Sequence, residues 1–181
     1  MTRIRLARLE DAAAIAQIYA PYVTDTAISF ETDVVSAAQI AERMQSHDGL
    51  YPWFVAAEAG DAVIGYAYAT QFRTRAAYRF AAETSIYLEP SAQGRGLGRS
   101  LYRVLLDQLI RQGFTQAIAG ITLPNEPSVR LHERVGFRLV GVYREIGYKL
   151  GRWHDVGRYA CPLADPHVPP EEPLRAADLP G

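Results

Sequence analysis

Apolar and polar residues alternate over residues 4–7, the period of a strand with one buried face. Glu10 and Asp11 then open an alanine-rich stretch to about residue 22, which predicts a helix because acids favour the positive end of the helix dipole. A second helix is expected over 36–46, capped by Ser36 or Asp33. Before it lies an irregular piece carrying Ile28, Ser29, Phe30 and Glu31, placed to line a site. The aromatic and β-branched runs 53–58 and 62–72, parted by Ala59, Gly60 and Asp61, read as a hairpin. Residues 73–79 form a polar, basic connection, and a strand over 83–88 ends at Glu89 and Pro90, since proline cannot continue a ladder. A helix over 96–112 repeats Leu97, Leu101, Val104, Leu105 and Leu109 on one face. A strand over 114–122, a short helix over 124–135 stopped by Gly136, and an antiparallel pair over 137–145 and 148–161 complete the pattern. From residue 164 to 181 the chain is rich in proline and acid without period, which predicts an extended or disordered tail.

About seven strands interleaved with about four helices indicate an α/β fold, a mixed sheet flanked by helices, in one domain over 1–163. Composition changes this picture little: 49% apolar and 22% charged residues suit an ordinary globular chain. Nineteen basic against twenty acidic residues leave a net charge of −1, so no long-range field draws the chain to nucleic acid or an acidic membrane. Small solutes are the expected partners. The lone Cys161 excludes an internal disulfide and a multi-cysteine metal site. No apolar run approaches the roughly 18 residues of a membrane span, and the charged start of the sequence lacks a signal-like core, so a cytoplasmic location is expected.

Candidate chemistry centres on Gln93-Gly94-Arg95-Gly96-Leu97-Gly98-Arg99, between a strand and an amphipathic helix. Free N–H groups and the helix dipole favour an anion there, and glycine lets a phosphate reach the backbone. A Walker loop would need lysine where Arg99 stands before Ser100. A dinucleotide fingerprint would need glycine, not Arg99, three residues after Gly96. What remains, Gln93, Gly96 and Gly98 as Gln-x-x-Gly-x-Gly, resembles the pyrophosphate-binding motif of the GNAT superfamily of N-acetyltransferases. Ile86, Tyr87 and Leu88 resemble that family's central strand, whose exposed backbone pairs with the pantetheine arm as an added strand would. Asn125 with Ser128, followed by Gly136 and Phe137, resembles its later helix, in which the asparagine contacts cofactor. The resemblance spans nearly all of residues 2–162 and implies a GNAT-like, largely antiparallel sheet and acetyl-CoA as co-substrate, held by residues 86–88, by the 93–99 turn, and by Asn125 and Ser128.

Within the superfamily, Ser29-Phe30-Glu31, the strings over 82–87 and 123–133, and Gly151 through Gly157 resemble phosphinothricin and methionine sulfoximine acetyltransferases. That resemblance implies a glutamate-like acceptor and a homodimer whose contact the terminal strands would supply. Arg73 and Arg75, at i and i+2, share a face and would clamp a carboxylate, the bland alternative being a solvated basic loop. Phe30, Glu31, Tyr78 and Thr84 are further pocket candidates.

Amide formation needs a neutral amine, a donor for the oxyanion and a proton for the departing thiolate. Glu83, just before the cofactor strand, is the expected base; its alternative is a surface carboxylate paired with Arg79. A backbone N–H near Leu88 is the expected oxyanion donor. His132 stands where many GNAT members carry tyrosine, so general acid and structural contact both remain open. His154 beside Asp155 lacks further ligand spacing, so no metal is expected. Two rivals stand: an acetyltransferase for another amine, such as a protein N-terminus, polyamine or antibiotic, and a CoA-binding sensor without turnover.

Overall fold

The computed structural model describes residues 2–179. Strands β1 (Arg3–Leu6), β2 (Trp53–Ala57), β3 (Val63–Gln71), β4 (Ala81–Leu88), β5 (Gln116–Leu123), β6 (Arg138–Lys149) and β7 (Arg152–Pro162) form one sheet in the order β1-β2-β3-β4-β5-β7-β6. Every neighbouring pair is antiparallel except β4 and β5, which run parallel. Helices α1 (Ala12–Thr24) and α2 (Ala37–Gln45) cover one face, and α3 (Leu97–Gln112) and α4 (Glu126–Arg134) lie with the other.

The helical period buries Leu101, Tyr102, Leu105 and Leu109 of α3 against Ala67, Ala82, Ala117 and Phe137. On the opposite face Ile15, Tyr19, Val23 and Ile40 pack against Val55 and Tyr66. Full burial stabilises each large apolar side chain by about 1.5–3 kcal/mol, so these two layers fix the sheet between the helices. Ser36 caps α2 through the Gln39 N–H. Gly113, at φ 92°, ends α3 with Phe114 donating back to the Leu109 carbonyl.

Two features position the site. β3 pairs with β4 from Ala82 to Leu88, but β4 and β5 pair only where Ala81, Ala82 and Glu83 meet Gln116, Ala117 and Ile118. Beyond Glu83 the two parallel strands separate. The Glu89 N–H donates to the Ile64 carbonyl on β3, so by the strand's alternation Leu88 and Ile86 turn their own backbone groups to the opposite, β5 side.

The second feature departs from the sequence reading. The sequence predicts the last two strands over 137–145 and 148–161, yet β6 runs on to Lys149, and the chain reverses at Leu150 and Gly151, with φ 50° and 77°. A register shift between Tyr143 and Gly147 accommodates Glu145 at φ 47°, whose N–H donates to the Asp155 carboxylate at 2.8 Å. That side-chain stitch carries the strand through a bulge that, in sequence, reads as an end.

Beyond β7 the chain lies extended on the body. The Leu174 N–H donates to the Gln112 carbonyl, and the buried Gln112 amide donates to the carbonyls of Leu50 and Leu174. Pro180 and Gly181, the end of the expected tail, and Met1 lie outside the described residues.

Candidate active site

The parting of β4 and β5 opens a groove lined by Thr84, Ser85, Ile86 and Tyr87 from one strand and Gly120, Ile121 and Thr122 from the other, with Asn125, Ser128 and His132 of the α4 segment along its side. The unpaired edge of β4 is the kind of surface to which an extended, amide-bearing chain adds as a strand. At the groove's end Gly94 and Gly96 take φ 73° and 77°, and a Cβ at either would meet open space. Glycine is needed there for backbone conformation, which bares the N–H groups at the start of α3. Gly98 follows buried in the first turn, where a Cβ would press on Leu131 at 3.2 Å. These features fit a diphosphate on an extended arm.

Side chains brace this turn. Tyr22 of α1 donates to the Leu88 carbonyl at 2.5 Å and accepts from the Gln93 amide at 3.1 Å. Arg95 pairs with Glu58 at 3.3 Å, both half-exposed, while Arg99 is exposed on the first turn of α3. The Asn125 side-chain oxygen accepts from the Ser128 N–H and caps α4, leaving its amide nitrogen for other partners.

His132 is almost wholly buried and both ring nitrogens are engaged. Nδ1 lies 2.7 Å from the Ser128 carbonyl and must donate to it, so Nε2 of the neutral ring accepts from the Tyr102 hydroxyl at 3.0 Å. Tyr102 in turn lies 2.8 Å from Thr84 Oγ1. Burial pushes the His132 imidazolium below its usual range, with the Ser128 bond opposing, and burial pushes the Tyr102 phenol well up.

On the α1–α2 face of the same strand, the Glu83 carboxylate accepts from Arg158 Nη1 at 2.8 Å. The alternative partner read from sequence is corrected: Arg79 instead donates to Glu172, through Nε and Nη2 at 2.7 Å. Arg158 of β7 faces Gly120 of β5 and lies over the ring of Phe72, which also carries Arg73. Arg73, Thr74, Arg75 and Tyr78 line an open hollow of about 440 Å³ on the β3–β4 connection. This hollow is separate from the groove, with Phe72 as the link toward Glu83.

The segment between α1 and α2 is anchored from three sides. Lys149 Nζ donates to the Ser29 carbonyl at 2.6 Å, the Phe30 ring rests on Gly147, and the Glu31 carboxylate accepts from Arg43 Nη1 at 2.6 Å and from Tyr19 at 3.1 Å. The Arg43 bonds hold the Glu31 carboxyl below its usual range despite partial burial. His154 Nε2 donates to the Lys149 carbonyl at 3.0 Å, and among the described residues no three histidine, cysteine or acidic side chains group as metal ligands. Sequence reasoning passed over Tyr22, Tyr102 and Arg158. Their roles depend on which strand lies beside which, and no local motif carries that.

Residues 4–156 match the family model described as an acetyltransferase (GNAT) domain. The chain belongs to the GNAT acetyltransferase family. This GNAT chain is 42% identical over 157 residues to a phosphinothricin N-acetyltransferase of Streptomyces coelicolor, covering 85% of this chain and 92% of the relative. It is 36% identical over 169 residues to an L-methionine sulfoximine/L-methionine sulfone acetyltransferase of Salmonella typhimurium, covering 93% and 98%. Its fold matches a crystal structure of a GNAT phosphinothricin acetyltransferase from Sinorhizobium meliloti in complex with AcCoA, with TM-score 0.88 and 38% identity over 96% of this chain and 93% of that one.

Proposed function

We propose that this enzyme transfers an acetyl group from acetyl-CoA to the α-amine of a small, glutamate-like amino acid of the phosphinothricin or methionine sulfoximine type, in the cytoplasm. The observation that carries the reading is the splay of β4 from β5 immediately beyond Glu83, with the glycine turn at its far end. The relatives' names support the acceptor class.

Acetyl-CoA supplies the acetyl group as a thioester: the amine nitrogen bonds to its carbonyl carbon, the carbon–sulfur bond breaks, and the sulfur leaves as the thiol with the second proton that the nitrogen sheds as the amide forms. The β4 edge and the N–H groups of the glycine turn, with Asn125 and Ser128 alongside, would hold it. Glu83 takes a proton from the acceptor's ammonium so that the lone pair is free to attack. The Leu88 N–H, on the strand side that faces the groove, meets the oxyanion, and Tyr22 holds the next peptide of the strand through the Leu88 carbonyl. His132 acts as a neutral, fixed hydrogen-bond group that orders Tyr102 and Thr84, a role that fits its two engaged nitrogens. Arg73 and Arg75 lie on the approach to Phe72 and suit the acceptor's distal acid.

A homodimer fits the apolar surface of the β6–β7 hairpin, where Val140, Ile146, Tyr148 and Trp153 are each more than half exposed. Sedimentation should give twice the chain mass, and a monomer at micromolar concentration removes this part.

The deciding experiment is a thiol-release assay over amino acids, phosphinothricin, methionine sulfoximine and polyamines, with calorimetric titration of acetyl-CoA. Thiol release with the glutamate-like acceptors is expected, and Glu83→Gln should lower kcat by about 10²–10⁴-fold near neutral pH. Binding without release on any acceptor would make the chain a sensor, and release on polyamines alone would move it to another amine.

A further inference from the structure

We infer that Arg158 is an acceptor-recognition residue: its guanidinium takes the α-carboxylate of the incoming amino acid while its partner Glu83 takes the proton of the adjacent α-amine. This rests on the reading of Glu83 as the residue that meets the acceptor's amine.

Arg158 reaches its position along a path the backbone keeps open. It lies opposite Gly120 across the β5–β7 ladder, where a Cβ would stand 3.0 Å from its Nη1. Over that bare strand the side chain crosses to β4 and meets Glu83 at 2.8 Å. The ring of Phe72, 5.7 Å from the guanidinium carbon, supports it. The Arg158 and Glu83 side chains are only 21% and 30% exposed, so both charges are held largely out of water.

The guanidinium carries five N–H donors, and only Nη1 meets a protein acceptor among the described residues. Among the described residues no side-chain nitrogen or oxygen that is sealed from solvent lacks a partner. The unused edge, Nε and Nη2, is therefore open to a ligand. What it fits is set by the pair. A carboxylate and a guanidinium in contact form a zwitterion, and an α-amino acid presents the matching one, with ammonium and carboxylate on a single carbon. Set head to tail, the ammonium faces Glu83 and the carboxylate faces the free fork of Arg158, each through charge-assisted hydrogen bonds. An amine without the carboxylate leaves Arg158 bound to Glu83 alone and gains nothing from it. Arg158 thereby distinguishes α-amino acids from plain amines, a task separate from that of Arg73 and Arg75 at the acceptor's other end.

The test compares phosphinothricin with its α-carboxamide, which keeps the amine and side chain, on the full-length protein at saturating acetyl-CoA. Wild type should favour the acid. In Arg158→Gln, KM for the acid should rise about 30-fold, within the range for a lost bond between charged groups, while KM for the carboxamide moves less than about 3-fold. Arg158→Lys, which keeps one cation, should retain part of the preference. An equal fall in kcat for both acceptors, with KM values unmoved, overturns the inference and leaves Arg158 as a holder of Glu83. Should Arg158→Gln prove inactive or poorly folded, Arg158→Lys with an undiminished acid-to-carboxamide ratio overturns it likewise. A wild-type protein that acetylates neither compound sinks the functional reading instead, a result visible before any variant is made.

Discussion

At the scale of single residues, His132 links burial to acid stability. Its imidazolium is disfavoured by burial, so its folded value lies below the ordinary 6.5. Protons bind the unfolded chain first, and the contribution to stability is whole above about pH 6.5, then falls away as pH drops toward the depressed folded value. The loss of melting temperature between about pH 7.5 and about pH 5.5 should be smaller in His132→Phe than in wild type. Equal losses would remove His132 from the acid limb. Gly147 makes a second residue-level case. A Cβ there would stand 2.1 Å from the Phe30 ring, which is 40% exposed and free to swing away. Gly147→Ala should therefore fold normally yet raise the acceptor's KM by about 3–10-fold, with KM for acetyl-CoA unchanged. Steady-state kinetics with each substrate varied in turn checks this, and a shift in the acetyl-CoA term would show Phe30 acting elsewhere.

Among elements, β4 carries most of the proposed site, and its end is tied down by helix α1. Tyr22 bonds both the Leu88 carbonyl and the Gln93 amide, so one hydroxyl joins α1 to the strand end and to the glycine turn. Tyr22→Phe removes both bonds at little cost in packing, since its ring contact with Tyr87 is kept. At about 0.5–1.5 kcal/mol per bond, the two bonds sum to about 1–3 kcal/mol, and acetyl-CoA should bind at least about 5-fold more weakly by calorimetry. Unchanged affinity would make Tyr22 a packing residue only. That tie shows where sequence reading stops. Gln93, Gly96 and Gly98 point to the proposed diphosphate site because glycine and a helix start act locally, and Leu101, Leu105 and Leu109 declare a buried face because the helical period is local too. The loss of β4–β5 pairing beyond Glu83 is a property of two segments more than thirty residues apart. Arg158 reaches Glu83 only because β7 lies beside β5, an adjacency that chain order does not carry. The bulge at Glu145 was hidden for the same reason, since Asp155 on the neighbouring strand completes it.

Over the whole molecule, the segment after β7 returns to the body and touches two regions with different consequences. One contact is the Arg79–Glu172 pair, exposed on both sides, and such pairs contribute little to stability. The other is Gln112, 1% exposed, whose amide bonds Leu174 at 2.7 Å while the Leu174 N–H bonds the Gln112 carbonyl. Removing residues 164–181 uncovers this amide and strips it of one acceptor. Water replaces part of the loss, so a cost of about 1–2 kcal/mol follows from two partly compensated hydrogen bonds. For a chain of this size that lowers the melting temperature by roughly 2–8 °C. Glu172→Gln in the full-length protein should leave the melt within about 1 °C of wild type, because it breaks only the exposed pair. The same contrast bears on the site. Arg79 closes the connection that carries Arg73, Arg75 and Tyr78, so if Glu172 holds that loop in register, Glu172→Gln raises the acceptor's KM at unchanged melting temperature. A truncated protein with native melting temperature would show that Gln112 is satisfied without the tail. A Glu172→Gln protein as destabilised as the truncation would shift the weight to the surface pair, against the expected balance between a buried amide and an exposed ion pair.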